Sequence, residues 1–300
     1  MSILINKETK VLIQGITGKE GGKAAREMMN YGTKVLAGVS PGKGGEKTPE
    51  GIPVFNSVKE AIEKFPDINV SLIVVPPAFA TSAVLEAIEN GIPLINILTE
   101  KIPVFDVAKI IAFARKKNIK IVGPSSVGIL VPEVVKIGSI GSSLIATKIF
   151  EQGFVGVVSK SGGMTAEISR VLTEAGLGQS TVVGIGGDQL IGCDFSDILL
   201  EFEKDPDTEV TVIFGEVGGT YEEQLAEKIK KGEIKKPVIA LIAGQFTETL
   251  PEDSVLGHAG AIINKGRGSA QSKIRALKSA GTFIAETPEE IPDIIKKILK

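Results

Sequence analysis

The chain carries a single histidine, His258, and its neighbours are small: Leu256-Gly257-His258-Ala259-Gly260-Ala261. Glycine and alanine leave open space on both sides of an imidazole ring. One histidine and one cysteine exclude most zinc sites, and no metal centre is expected. No serine stands at a spacing that signals a Ser–His pair. The chemistry that fits is nucleophilic: the ring attacks a phosphoryl group and carries it to a second acceptor. A phosphorylated imidazole needs donors around the phosphate and an acid to orient the ring. Ser161-Gly162-Gly163 opens a predicted helix and offers such donors. Glu216, in Gly215-Glu216-Val217-Gly218-Gly219, offers the acid.

A second group of residues lies near the N-terminus. Gly15-Ile16-Thr17-Gly18-Lys19-Glu20-Gly21-Gly22 follows the first predicted strand and opens a helix. Glycines there let the backbone approach a pyrophosphate, whose charge the helix N-terminus stabilises. A site for NAD usually carries Asp or Glu at the end of the second strand, for the ribose hydroxyls. Here that strand ends in Ser40-Pro41-Gly42-Lys43-Gly44-Gly45, which argues against a NAD-dependent dehydrogenase. A lysine in a glycine-rich turn suits a phosphate. The site reads as one for a nucleotide with an extra phosphate, such as the 3′-phospho-ADP of coenzyme A. Val75-Pro76-Pro77-Ala78 and Leu98-Thr99-Glu100-Lys101 end the third and fourth strands on the same edge.

The elements that must position these residues follow from alternation of β-branched runs with helical segments. Strands are predicted over Lys10–Gln14, Lys34–Val39, Val70–Val75, Leu94–Leu98 and Lys120–Val122, with helices over Lys19–Tyr31, Ser57–Lys64, Phe79–Asn90 and Val104–Lys116. Strands with intervening helices imply a parallel sheet of βαβ units. The stretch from Pro124 to about Gly153 mixes Ser, Gly and Ile and reads as an irregular connection. The rhythm then restarts. Strands are predicted over Val155–Val158, Thr181–Gly184, Val210–Phe214, Pro237–Ile242 and Thr282–Ile284. Helices are predicted over Met164–Ala175, Phe195–Lys204, Tyr221–Lys231, Ala270–Ala280 and Pro288–Leu299. Four of these strands end in glycine-rich turns, which an open α/β sheet gathers along its ligand edge. The connection between Ile242 and Ala270 is long for a compact domain, and long loops tend to be functional. His258 lies in it.

Composition bounds the reading. In 300 residues, 43% are hydrophobic and 23% charged, enough for real cores and about two domains. Thirty-four basic residues against 36 acidic ones leave a net charge of −2, which disfavours a dedicated nucleic-acid binder. One cysteine excludes an internal disulfide framework. No leader-like N-terminus and no apolar run of spanning length are seen, so a cytoplasmic protein is expected.

The motifs Gly257–Ile262, Gly215–Gly219, Gly184-Ile185-Gly186-Gly187-Asp188 and Pro41–Gly45 together resemble the α-type subunit of succinyl-CoA synthetase, in the right order and over essentially the whole chain. The resemblance implies an α/β fold. A Rossmann-like CoA-binding domain would span 1–128. A flavodoxin-like, doubly wound parallel-sheet ligase domain would span 129–300. It also implies a reaction. A nucleoside triphosphate, ATP or GTP with Mg2+, bound on a β-type ATP-grasp partner phosphorylates the histidine. The phosphohistidine then phosphorylates a carboxylate, and CoA attacks the acyl phosphate. Carried over by motif, His258 is the phosphorylated residue and Glu216 its supporting acid. Thr17, Gly18, Lys19, Glu20, Lys43, Leu98, Thr99 and Glu100 contact CoA. Ser161, Gly162 and Gly163 serve phosphate or substrate. No ATP-grasp domain fits in this chain, so an αβ or α2β2 assembly is expected.

Departures from the succinate pattern lean toward ATP citrate lyase. Succinyl-CoA synthetases usually read G-P-N-C-P-G where this chain has Gly123-Pro124-Ser125-Ser126-Val127-Gly128. They read S-R-S-G-T-L-T-Y-E where it has Ser159-Lys160-Ser161-Gly162-Gly163-Met164-Thr165-Ala166-Glu167. Lys136–Gly141 and Gly218–Glu223 also look more like the lyase. The chain reaches Lys300 without a citrate-synthase-like cleavage domain. That combination resembles the small subunit of a citryl-CoA synthetase, and citrate is the expected substrate ahead of succinate. Glycines at 162 and 163 suit a bulkier tricarboxylate, since they remove side chains and expose N–H donors.

Overall fold

The computed structural model describes residues 2–141, 148–245, 260 and 268–299. Its first sheet contains β1 (Lys10–Gln14), β2 (Lys34–Val39), β3 (Val54–Phe55), β4 (Val70–Ile73), β5 (Leu94–Ile97) and β6 (Lys120–Val122). Their order is β3-β2-β1-β4-β5-β6, and all pairs are parallel. This is the dinucleotide-binding arrangement. The connecting helices are α1 (Lys19–Asn30), α2 (Val58–Lys64), α3 (Pro77–Glu89) and α4 (Val104–Lys116). β4 and β5 are buried along their whole length. Helices on both faces of a parallel sheet demand such buried, mainly apolar strands, and their polar members are hydrogen-bonded, Ser71 to Gln14 and Asn96 to Val122 and Ser126. On α3, Ala80, Ala83, Val84, Ala87 and Ile88 repeat at helical spacing and form the buried stripe. Only β3 escapes the sequence pattern, because a two-residue strand carries no alternation.

The second sheet has the order β13-β12-β11-β9-β10-β7-β8. Its parallel part is β9 (Gln152–Ser159), β10 (Gln179–Gly184), β11 (Val210–Gly215), β12 (Val238–Ile242) and β13 (Phe283–Ala285). Read from the other side these follow the flavodoxin order, 2-1-3-4-5. The helices are α5 (Gly162–Glu174), α6 (Phe195–Lys204), α7 (Tyr221–Lys230), α8 (Ala270–Ser279) and α9 (Ile291–Ile298). A 3-10 turn over Pro288–Glu290 precedes α9, where one continuous helix was expected. Among the described residues, no helix is long and apolar enough to cross a membrane.

The expected irregular connection after Pro124 is corrected by the structure. It contains an antiparallel hairpin, β7 (Gly128–Val131) and β8 (Val135–Gly138), added to the sheet beside β10. The second sheet is therefore mixed rather than wholly parallel. Both strands are fully buried, but Lys136 and the flanking glycines disguise them as a loop in the sequence. Lys136 is sheathed by the first domain. Its Nζ lies 3.4 Å from Glu27 and donates to the Gly141 carbonyl. Burial still holds this ammonium below the usual lysine range, against the opposing pull of Glu27. The backbone of Lys136 is met by one hydroxyl from the other domain. Thr33 Oγ1 donates to its carbonyl at 2.6 Å and accepts its N–H at 3.1 Å.

Candidate active site

In the first domain the turn after β1 is built by close backbone approach. Gly15 has φ +89°, and a Cβ there would lie 2.5 Å from the Val74 carbonyl oxygen. A Cβ on Gly21 would lie 2.2 Å from the Gly15 oxygen, so α1 starts directly against the turn. Thr17 Oγ1 donates to Ser40 Oγ at 3.0 Å, tying the ends of β1 and β2 together. The following loop is held by one side chain: Asn56 Oδ1 accepts the N–H groups of Gly42 and Gly44 at 2.9 and 3.0 Å. These two turns enclose a groove of about 570 Å³.

Thr17, Gly18, Lys19 and Lys43 all line that groove. Lys23, Arg26 and Lys47 line it too and were missed. Lys19, Lys23 and Arg26 follow the four- and three-residue spacing of one helix face, which was the available signal. Against these cations stand Glu46 and Glu50, the latter paired with Arg26 at 3.0 Å. Exposed cations around a glycine turn at a helix N-terminus fit a polyphosphate such as that of CoA. Glu20 is exposed on α1 and does not line the groove; nor do Leu98, Thr99 and Glu100, beyond β5. The Thr99 hydroxyl is occupied with the Val75 carbonyl, at 2.7 Å.

In the second domain Ser161 is the N-cap of α5, its Oγ accepting the Met164 N–H at 3.4 Å. The two glycines beside it are there for different reasons. A Cβ on Gly162 would lie 2.4 Å from a Val127 methyl, whereas a Cβ on Gly163 would meet nothing within 4 Å. Gly162 is thus required by packing, and Gly163 leaves room. Ala166 is partly buried one turn further along. Glu216 follows β11 and is partly buried. Beneath its turn sits a buried charge cluster that sequence reasoning did not find. Lys160 Nζ is 3.2 Å from Glu222 Oε1, and Lys273 Nζ donates to Glu222 Oε2. Burial pushes the Glu222 carboxyl up, but the two ammoniums and its hydrogen bonds outweigh this and hold it below the ordinary carboxylate range. Cys193 is buried, and burial pushes its thiol up to about 12, which removes it as a nucleophile.

The two halves are joined by a chain of hydrogen bonds at the sheet edges. The Ser125 N–H donates to the Thr99 carbonyl at 3.2 Å, and its hydroxyl donates to Asp188 Oδ1 at 2.6 Å. The turn that carries Asp188 also holds Gly260, whose N–H donates to the Gly187 carbonyl at 2.9 Å. Val127 fills the space between Gly162 and Gly184. His258 lies outside the described residues. After it in sequence, Gly260 meets the Gly187 turn, and Gly268 accepts the Gly218 N–H at 2.7 Å.

Comparison with known proteins accords with this arrangement. A CoA binding domain family matches residues 6–101, and a CoA-ligase family matches residues 158–283. The succinate–CoA ligase [ADP-forming] subunit alpha of Aquifex aeolicus is 48% identical, covering 100% of this chain and 95% of its own length. Subunit alpha 2 of the same enzyme from Archaeoglobus fulgidus is 46% identical over the whole of both chains. A Methanosaeta concilii ATP citrate lyase, solved with (3S)-citryl-CoA, superposes with a TM-score of 0.91 at 26% identity. It covers 99% of this chain, which spans 50% of the lyase chain.

Proposed function

Since the chain belongs to the family of succinate–CoA ligase α subunits, we propose that it forms the α-type half of an NDP-forming acid–CoA ligase acting through phosphorylated His258. One observation carries this reading. Gly260 and Gly268, on the C-terminal side of the histidine in sequence, are hydrogen-bonded to the Gly187 and Gly218 turns at the ligand edge of the second sheet. Two residues that follow the only histidine are thereby attached to the turns that carry Asp188 and Glu216.

The reaction then has three transfers. An imidazole nitrogen of His258 attacks the γ-phosphorus of a nucleoside triphosphate, and the bond to the diphosphate breaks. A substrate carboxylate oxygen attacks that phosphorus, giving an acyl phosphate and freeing the ring. The CoA thiol loses its proton and attacks the acyl carbon, releasing phosphate. Glu216 accepts a hydrogen bond from the other ring nitrogen and stabilises the charged imidazole. The N-terminus of α5, with Ser161, Gly162 and Gly163, receives the phosphoryl oxygens. Lys43, Lys19, Thr17 and Gly18 hold the CoA phosphates. Glu20, Leu98, Thr99 and Glu100 extend the same edge toward the pantetheine end. The nucleotide and Mg2+ are bound by a β-type ATP-grasp partner in an αβ or α2β2 assembly, in the cytoplasm. The working units are 1–128 for CoA and 129–300 for ligation.

Citrate is the substrate we assign. Gly163 leaves open the space that a threonine side chain would occupy, Ala166 stands where the succinate pattern has tyrosine, and the backbone resembles that of the lyase. Succinate is the second reading, favoured by the 48% and 46% identities to relatives named for it. The test uses the chain co-expressed with its β-type partner. Phosphate and ADP release are followed with ATP, Mg2+ and CoA, adding citrate or succinate in turn. Faster turnover with citrate is expected. Turnover with succinate alone overturns the substrate assignment. An absence of acid-labile phosphate on His258 overturns the mechanism.

A further inference from the structure

We propose that Glu222 is a positioning residue for Glu216, and that the buried Lys160–Glu222–Lys273 cluster is the joint that holds three parts of the ligase site in register. The inference rests on the role given to Glu216 and His258 above.

The cluster grips the Glu216 turn at two points. Glu222 Oε1 accepts the N–H of Glu216 at 3.2 Å. Lys273 Nζ, bound to Glu222 Oε2, also donates to the Gly218 carbonyl at 2.7 Å. The start and the far side of the turn are thus fixed by one carboxylate and one ammonium. Gly215 makes this possible, because a Cβ there would lie 2.6 Å from Glu222 Oε1.

Each charge comes from a different junction of the site. Lys160 immediately precedes Ser161, the cap of the phosphate-binding helix α5. Glu222 lies in the first turn of α7, after the glycine turn. Lys273 lies in the first turn of α8, the helix that follows the histidine-bearing segment. The side chains of Glu222 and Lys273 are fully buried and that of Lys160 is 5% exposed, with its ammonium 5.6 Å from the Tyr221 ring centroid and 6.0 Å from that of Phe195. A core that needed only bulk here would be served as well by apolar side chains, often with no loss of stability. A carboxylate and an ammonium with directed bonds to a catalytic turn, and a second ammonium paired with that carboxylate, point instead to orientation.

The test compares two variants with wild type, each assembled with the β-type partner. Lys160→Met/Glu222→Leu/Lys273→Met removes all three charges at similar volume. Lys273→Met alone frees the Gly218 carbonyl and leaves the Lys160–Glu222 pair intact, so it retains a balanced interior. The readouts are the rate at which radiolabelled ATP phosphorylates His258, the KM for CoA and the thermal midpoint. Displacement of a catalytic group by about 1 Å costs roughly 100-fold in rate. The triple variant is therefore expected to lose about 100-fold in phosphorylation rate, and Lys273→Met about 10-fold. The KM for CoA should stay unchanged in both. Wild-type phosphorylation rates in a folded triple variant, or in Lys273→Met if the triple variant does not fold, overturn the proposal. A parallel rise in the KM for CoA overturns it as well, since it would mean general loosening. Failure of wild type to label His258 overturns the phosphohistidine mechanism instead.

Discussion

Lys19, Lys23, Lys43 and Lys47 stand exposed around the groove of the first sheet, whereas Lys160 and Lys273 are buried against Glu222 beneath a turn of the second. Both groups sit at the glycine-rich C-terminal ends of parallel strands. Their surroundings assign them different work. An exposed ammonium keeps its hydration until a polyanion arrives and then makes charge-assisted hydrogen bonds. A buried ammonium has already surrendered its water and must be paired at all times. The first arrangement suits a ligand that enters and leaves. The second suits a geometry that must persist through a catalytic cycle. Removing one exposed lysine should weaken a ligand, while removing one partner of the buried set should disturb the fold and the chemistry together.

The contrast can be broken at several points. His258→Asn should abolish acid-labile phosphate on the chain and reduce turnover of the assembly by at least ~1,000-fold, with CoA binding intact. Retained turnover would show that the second domain only scaffolds the first. Glu216→Gln should lower the His258 phosphorylation rate by roughly 100-fold and leave the KM for CoA in place, as read by rapid quench. Gly15→Ala tests the other side. Its positive φ and the 2.5 Å approach to Val74 should cost about 3 kcal/mol of stability and most CoA affinity, measured by thermal unfolding and calorimetry. Lys43→Ala should weaken CoA about 10-fold but dephospho-CoA hardly at all, and the difference should shrink with salt. Gly163→Thr should cause the smallest change, a several-fold shift of kcat/KM from citrate toward succinate with no loss of stability, because a Cβ there meets nothing.

What could be read in advance follows the range over which each signal acts. The strand and helix sequence was legible because β-branched runs and helical spacing are local, and their alternation implied parallel sheets of βαβ units. The glycine turns were legible for the same reason. The β7–β8 hairpin was not, since Lys136 reads as solvent-facing until Glu27 and Thr33 of the other domain enclose it. The bond from the Thr99 hydroxyl to the Val75 carbonyl, which ties the ends of β4 and β5 together, has no signal in the sequence either. Lys160, Glu222 and Lys273 are far apart in sequence and share no motif. Only the meeting of β9, α7 and α8 makes them one group. Ser125 and Asp188 were quoted within motifs, but their mutual hydrogen bond needed the fold to be seen.

Thr33 has a consequence beyond joining the domains. β8 is the last strand of its sheet, and a terminal strand normally presents unpaired N–H and C=O groups to which another chain can add. At Lys136 both groups are already taken by the Thr33 hydroxyl, and the Gly138 N–H is directed at the Met28 sulfur, 3.4 Å away. The CoA-binding half therefore acts as a built-in guard against strand addition on its neighbour. A second half expressed alone would bare that edge, and its tendency would be to self-associate rather than to persist as a soluble module.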